Sequence, residues 1–215
     1  VSGDRVEITS TDPGFPRDAA AWCNSTGNQL ISKEAAGGKS VVVIEKGEPK
    51  SCNIVTSCEG KGKTFIMFSD DLDKALATFV LANGAAATGQ KVTIFFTFWG
   101  LNVIKKLHKP NVEKDIFGKM FGMMLPSSSR KLKLSKMSMG GIGGKMMRYI
   151  MNRKGIDSLE SLRQQALENG VEFIACQMSM DVMGVKQEEL LDEVTIGGVA
   201  TYMERADNAN INLFI

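Results

Sequence analysis

The chain has 215 residues, 43% of them apolar and 23% charged, with a formal net charge of +2. This fits one large domain or two small ones with real cores, and no run of about 18 apolar residues offers a membrane-crossing helix. Four cysteines do not make a disulfide framework, so a reducing compartment is expected and each thiol reads as core, ligand or reactive group.

Residues 5–10 alternate like a strand, and Asp12 and Pro13 signal a helix through Ala19, Ala20, Ala21 and Trp22 that stops near Gly27. Gln29 to Lys33 and Lys39 to Glu45 read as two more strands, with Gly37 and Gly38 as the turn between them. This first β-α-β-β unit is small enough to need a partner surface. Residues 47–63 have linker composition and carry Cys52 and Cys58.

The second unit begins at Thr64. Thr64 to Phe68 is a short strand; Ser69, Asp70 and Asp71 offer caps to a helix over Leu72 to Thr88, and Gly89 ends it. Val92 to Phe98 is apolar on both faces, as in a covered parallel sheet. Leu101 to His108 starts a helix that Pro110 stops. Residues 117–151 hold eight of the thirteen methionines, many lysines, and the glycine-rich run Met139 to Lys145. Ser158 to Asn169 reads as a helix, Val171 to Gln177 as a buried strand, Gln187 to Leu191 and Val199 to Ala209 as helices, and Asn212 to Ile215 as a last strand. Alternating strands and helices predict an α/β fold with a mainly parallel sheet.

Charge is uneven. Residues 105–154 carry thirteen Lys or Arg against two acids, and residues 155–215 carry three against eleven. Local fields therefore matter more than the total.

Cys176 is the leading chemical candidate. It closes the strand Phe173 to Cys176, and open α/β sheets collect ligands beyond the carboxyl ends of their strands. A helical turn starting near Met178 would favour thiolate there. The competing reading is a small core side chain, since free cysteines are often buried. Cys52 and Cys58 lack the second pair that a four-ligand zinc site needs, and read as incidental linker thiols or as a labile disulfide. Cys23 reads as helix packing. The single His108 argues against histidine metal clusters and leaves a catalytic triad only one base. The run Met139 to Lys145 fails the phosphate-loop pattern, because Met139 and Met146 stand where Gly and Ser or Thr belong, and is read as a flexible loop. The methionines read first as an adaptable partner surface, then as a membrane contact, and last as a soft-metal site. Nucleic-acid binding has only charge behind it and is not expected.

The stretches Phe68 to Leu76, Lys91 to Gly100, Lys131 to Met137, Phe173 to Gly184 and Ile196 to Tyr202 resemble the DsrE/DsrF/DsrH-like family, in its long Met-rich branch, over residues 64–215. The resemblance implies a Rossmann-like sheet with flanking helices, a homo-oligomer, and a cysteine carrying persulfide sulfur without a cofactor or metal. Cys176 is the matching position. The implied partners are sulfur donors and acceptors of TusA-like, rhodanese-like or DsrE-like type, in the cytoplasm, with the membrane periphery as a second location. Thr11 to Asp18, Ala21 to Cys23, and Thr26 with Gly27 resemble the second half of a TusA-like carrier, over residues 1–46. Such carriers use a Cys-Pro-x-Pro motif that this sequence lacks. The chain is therefore expected to be trimmed, to extend further in nature, or to have lost the thiol role in this module.

Two other functions are carried alongside the sulfur carrier. One is a non-catalytic module that docks a partner or membrane through the basic Met-rich segment, for which a buried Cys176 would speak. The other is a redox enzyme using Cys52 and Cys58.

Overall fold

In a computed structural model the chain divides into two compact units, Val1–Glu59 and Gly60–Ile215. The structure describes residues 3–11, 15–36, 39–47, 62–108, 110, 112, 114 and 116–215. Asp12, Pro13, Gly37, Gly38, Cys52 and Cys58 lie outside the described residues.

The first unit contains β1 (Arg5–Ser10), α1 (Phe15–Thr26), β2 (Gln29–Ala36) and β3 (Lys39–Glu45), in a three-stranded antiparallel sheet of order β1-β3-β2. Strand period 2 decides its core: Ser40, Val42 and Ile44 of the central β3 point inward, the residues between them outward. Ala19 and Cys23 of α1 close over Val42 and Ile44. Cys23 is thus a packing residue, and burial pushes its thiol up, away from the reactive thiolate.

The second unit contains β4 (Gly62–Met67), α2 (Leu72–Ala87), β5 (Val92–Phe96), α3 (Ile116–Met124), α4 (Ile142–Arg153), α5 (Leu159–Glu168), β6 (Glu172–Cys176), α6 (Gln177–Met183), β7 (Thr195–Gly197), α7 (Val199–Asp207) and β8 (Ala209–Phe214). Its five strands run parallel in the order β7-β6-β5-β4-β8. This is the parallel α/β sheet that the alternating pattern predicts, and the Rossmann-like arrangement with flanking helices that the family resemblance implies.

The central β5 is buried at every position, so each face needs a cover. On one face Phe65, Met67, Ile94, Phe96, Phe173 and Ala175 meet α2, α5 and α6. Phe79 of α2 sits 5.7 Å from Phe173, ring centre to ring centre, and Phe96 sits 5.3 Å from Phe173. On the other face Phe95, Ile174 and Cys176 meet Tyr202 of α7.

Three local expectations need correction. No side chain caps α2: Asp71 occupies the N-cap position, but its carboxylate pairs with Lys74 at 2.8 Å. The free N–H of Leu72 donates instead to the Lys133 carbonyl, and Asp73 accepts from the N–H of Ser135. The start of the helix is thus satisfied by a segment about sixty residues away, which no local reading can supply.

The run Met139 to Lys145 is not a flexible loop. Met139–Gly141 forms a 3-10 turn and α4 begins at Ile142. The glycines there serve close packing: a Cβ on Gly143 would stand 2.1 Å from the Met137 carbonyl oxygen. After β5, the chain forms a 3-10 turn over Phe98–Ile104 and so ends its helical course before Pro110 is reached.

Candidate functional site

Neighbouring strands whose onward connections leave on opposite faces open a crevice at the carboxyl edge of a sheet. The helices α2, α5 and α6 cover one face, while α7 covers the other. The connections after β6 and β7 therefore diverge, and these two strands are neighbours. Cys176, the last residue of β6, is the register partner of Gly197, the last residue of β7. The predicted residue thus stands where the topology places a ligand crevice.

α7 is fixed at both ends of this arrangement. Its Arg205 donates two hydrogen bonds to Glu172 at the start of β6, at 3.0 and 3.2 Å. Those bonds hold the Glu172 carboxyl below the usual carboxylate range, against the opposing effect of burial, with Thr93 Oγ1 donating a further bond at 2.9 Å. Tyr202 packs on Phe95 with ring centres 5.2 Å apart, and its hydroxyl lies 3.3 Å from Thr64 Oγ1. The first turn of α7 follows directly from Gly197 and Gly198. Gly198 is the N-cap and carries no side chain to accept from the first-turn N–H groups. A Cβ on Gly197 would come within 2.8 Å of Ile174 Cγ2, so the position beside Cys176 must stay bare.

Cys176 is also the N-cap of α6, and its side chain is 2% exposed. The residues after it behave differently from what their polarity suggests. Gln177 and Asp181 are both exposed and bond each other at 3.0 Å, one helical turn apart. Ser179 is buried and shares a 2.8 Å hydrogen bond with Thr97, which follows β5. That hydroxyl pair links α6 to the edge of the sheet. An exposed apolar rim surrounds the two helix starts, with Met178 and Val182 on α6 and Val199 and Met203 on α7.

A second polar pair at this edge escaped the sequence reading. Asn102 is fully buried, and its Nδ2 donates to Asp70 Oδ2 at 2.9 Å. Its Oδ1 is buried with no hydrogen-bond partner among the described residues. Burial pushes the Asp70 carboxyl up, and the bond from Asn102 only partly offsets this. A conserved-looking spacing would not have revealed the pair, because Asp70 and Asn102 are thirty-two positions apart. Phe98 lies nearby in sequence in the left-handed region, with φ 48°, and stacks on Trp99.

Among the described residues no three His, Cys, Asp or Glu side chains gather to hold a metal ion. His108 is exposed and stands after the 3-10 turn. No helix among the described residues is long and apolar enough to cross a membrane.

Comparison with known proteins gives the family. The DsrE/DsrF/DrsH-like family matches residues 60–214, and sulfurtransferase TusA matches residues 1–46. Uncharacterized protein YrkE of Bacillus subtilis (strain 168) is 44% identical over 155 residues, covering 72% of this chain and 97% of its own. Sulfur carrier protein DsrE2 of Allochromatium vinosum is 38% identical over 161 residues, covering 73% of this chain and 99% of its own. The crystal structure of the ychN protein from E. coli aligns with a TM-score of 0.41 at 10% identity, over 72% of this chain and 99% of that one. Both matched families point to sulfur trafficking, and the chain belongs to the DsrE/DsrF/DrsH-like family.

Proposed function

We propose that the chain carries sulfane sulfur as a persulfide on Cys176. The supporting observation is the place of Cys176 in the fold: it ends β6 at the crevice with β7, opposite a glycine, beside the uncapped first turn of α7. The free N–H groups of that turn are donors for an anionic sulfur.

The chemistry balances without a cofactor. The sulfur of Cys176, as thiolate, attacks the outer sulfur of a donor persulfide. The donor S–S bond breaks, the donor sulfur leaves as a thiolate and takes up the proton that Cys176 gave up, and Cys176 becomes the persulfide. An acceptor thiolate then repeats the attack on the outer sulfur and restores the Cys176 thiol. No net oxidation occurs in either step.

In this reading the partners are donors and acceptors of TusA-like, rhodanese-like or DsrE-like type, met in the cytoplasm by a homo-oligomer. The chain serves as residues 1–46, a linker over 47–63, and a carrier domain over 64–215. The sulfur step is assigned to Cys176, since the Cys-Pro-x-Pro motif of TusA-like carriers is not among these 215 residues. The Cys176 thiol is covered by Tyr202, Phe95 and Ile174, so in this reading loading requires that cover to open.

The test is intact mass spectrometry after incubation with polysulfide, on the wild type and on Cys176→Ser. A reducible gain of a single sulfur, absent from the variant, is the expected result. An unchanged adduct in the variant would move the chemistry to another cysteine, with Cys52 and Cys58 the next to replace. No adduct on either folded protein would end the carrier reading.

A second reading has its own support. The burial of Cys176 and the exposed apolar face of α4 fit an interaction module that docks an anionic surface. The two readings separate on whether sulfur loading or surface binding survives substitution of Cys176.

A further inference from the structure

Strand β5 ends at Phe96, but its ladder runs one residue further. Thr97 is extended, with φ −132° and ψ 150°, and its N–H donates to the Met67 carbonyl at 3.1 Å. On the other side of β5, Phe95 pairs with Ile174 and Phe96 with Ala175. The next rung therefore sets Thr97 beside Cys176, with the two backbones about 4.8 Å apart, the usual strand spacing. Side chains alternate along a strand, and Phe95, Ile174 and Cys176 share the face under Tyr202. Thr97, two residues after Phe95, belongs to that same face.

The Thr97 and Ser179 hydroxyls stand 2.8 Å apart, and both residues are buried. Two hydroxyls carry two O–H donors, and the bond between them uses one. Neither hydroxyl has a further hydrogen-bond partner among the described residues, so one O–H is left over. A buried donor left unused is costly, which asks for an acceptor at some stage of the protein's work. Ser179 is the deeper of the two, at 0% exposure against 9% for Thr97, and Thr97 is the one beside Cys176. With Ser179 donating to Thr97 Oγ1, the spare O–H is that of Thr97. The resting thiol does not take it, since no bond joins it to Cys176 Sγ among the described residues. A persulfide is longer: its outer sulfur stands roughly 2 Å beyond Sγ.

We propose that Thr97 recognises the loaded state of Cys176: its hydroxyl donates a hydrogen bond to the outer sulfur of the persulfide, while Ser179 holds that hydroxyl in place. The inference rests on Cys176 being the sulfur-bearing residue. Thr97 then touches the transferred atom, and Ser179 is a positioning residue that acts through it. A bond made to the persulfide and not to the thiol favours the loaded protein by its full strength, because only a difference between two states can shift their balance. An anionic outer sulfur accepts such a bond more strongly than a neutral one. Thr97 thus sets how readily the carrier fills from a given donor, and how completely it empties into a given acceptor.

The test is the loading equilibrium of the full chain in mixtures of glutathione persulfide and glutathione at set ratios, read by intact mass. Thr97→Val keeps the branched shape and removes the hydroxyl. It should need a roughly tenfold higher persulfide-to-thiol ratio for half loading, the usual effect of one hydrogen bond to a charged group. Thr97→Ser keeps the O–H and should load like the wild type. Ser179→Ala should weaken loading, and the double variant Thr97→Val with Ser179→Ala should be no worse than Thr97→Val alone. An unchanged half-loading ratio in Thr97→Val overturns the proposal while leaving Cys176 as the carrier. A Thr97→Ser that loses as much as Thr97→Val also overturns it, by assigning the effect to packing. A wild type that takes up no sulfur, or an adduct that persists in Cys176→Ser, overturns the carrier reading itself and this inference with it. Should circular dichroism show Thr97→Val misfolded, Ser179→Ala against Thr97→Ser decides in the same way.

Discussion

Asp70 and Asn102 show how a residue pair can be set against itself. The carboxyl is raised by burial and only partly relieved by the Asn102 bond, while Asn102 Oδ1 finds no partner among the described residues. Because the folded-state value lies above the ordinary 3.8, the fold favours the protonated acid. Stability from this site is therefore fully present below about pH 3.8 and is lost as pH rises through the folded value. Asp70→Asn removes the charge and adds an amide N–H within reach of the orphan oxygen. Denaturant midpoints should show the variant gaining on the wild type as pH rises from 4 to 7; a difference that stays flat with pH would refute the account. At this scale the position of Cys176 at the end of a plain apolar strand is legible in the sequence. The sequence is silent on the Asp70–Asn102 and Thr97–Ser179 pairs, because each joins residues brought together only by the sheet.

Glycine has two meanings in helices of this chain, and they separate α2 from α4. Gly84 lies inside α2 with nothing within 4 Å of the Cβ it lacks, so it costs backbone entropy and returns no packing. Gly84→Ala should stabilise the protein by about 0.5–1 kcal/mol, the usual helix-propensity difference. Gly143→Ala gains the same propensity but drives a methyl against the Met137 carbonyl, which is backbone and cannot swing away. It should lower stability, and thermal melts of the two variants should move in opposite directions. The same logic explains which elements could be read in advance. β4, α2, β5, α5 and β6 carry apolar patterns that neighbours merely confirm. The start of α4, Ile142 to Lys145, reads as a loop in sequence because Gly143 and Gly144, which let it approach Met137 and Leu132, look like loop residues in isolation. β7 was missed because three residues are too few to show a period.

Across the whole molecule, the net charge of +2 conceals two stretches of sequence of opposite sign. From Ile116 to Ile156 there is no acidic residue, whereas residues 155–215 carry eleven. The basic part also exposes apolar surface in a regular way. Ile142, Met146, Tyr149 and Ile150 of α4 lie at helical spacing on one face and are 64%, 45%, 66% and 40% exposed, with Lys145 and Arg153 on the same helix. The opposite face turns Gly143, Gly144, Met147 and Met151 inward. A helix apolar on both sides has one side without an internal partner, and its flanking lysines and arginines favour an anionic one. Sign patterning of this kind was legible in the sequence; the division of one helix into a core face and an open face was not, since it depends on which side the sheet takes. Co-sedimentation with vesicles should show binding to anionic lipid and little to neutral lipid. Binding should weaken with added salt, because exposed charges more than about 8 Å apart are screened at physiological ionic strength. Met146→Glu and Tyr149→Glu should each reduce it at least several-fold while leaving sulfur loading of Cys176 intact. Equal binding to neutral vesicles, or binding indifferent to both substitutions, would remove the α4 face from any docking role and leave the crevice at Cys176 as the working surface of the second unit.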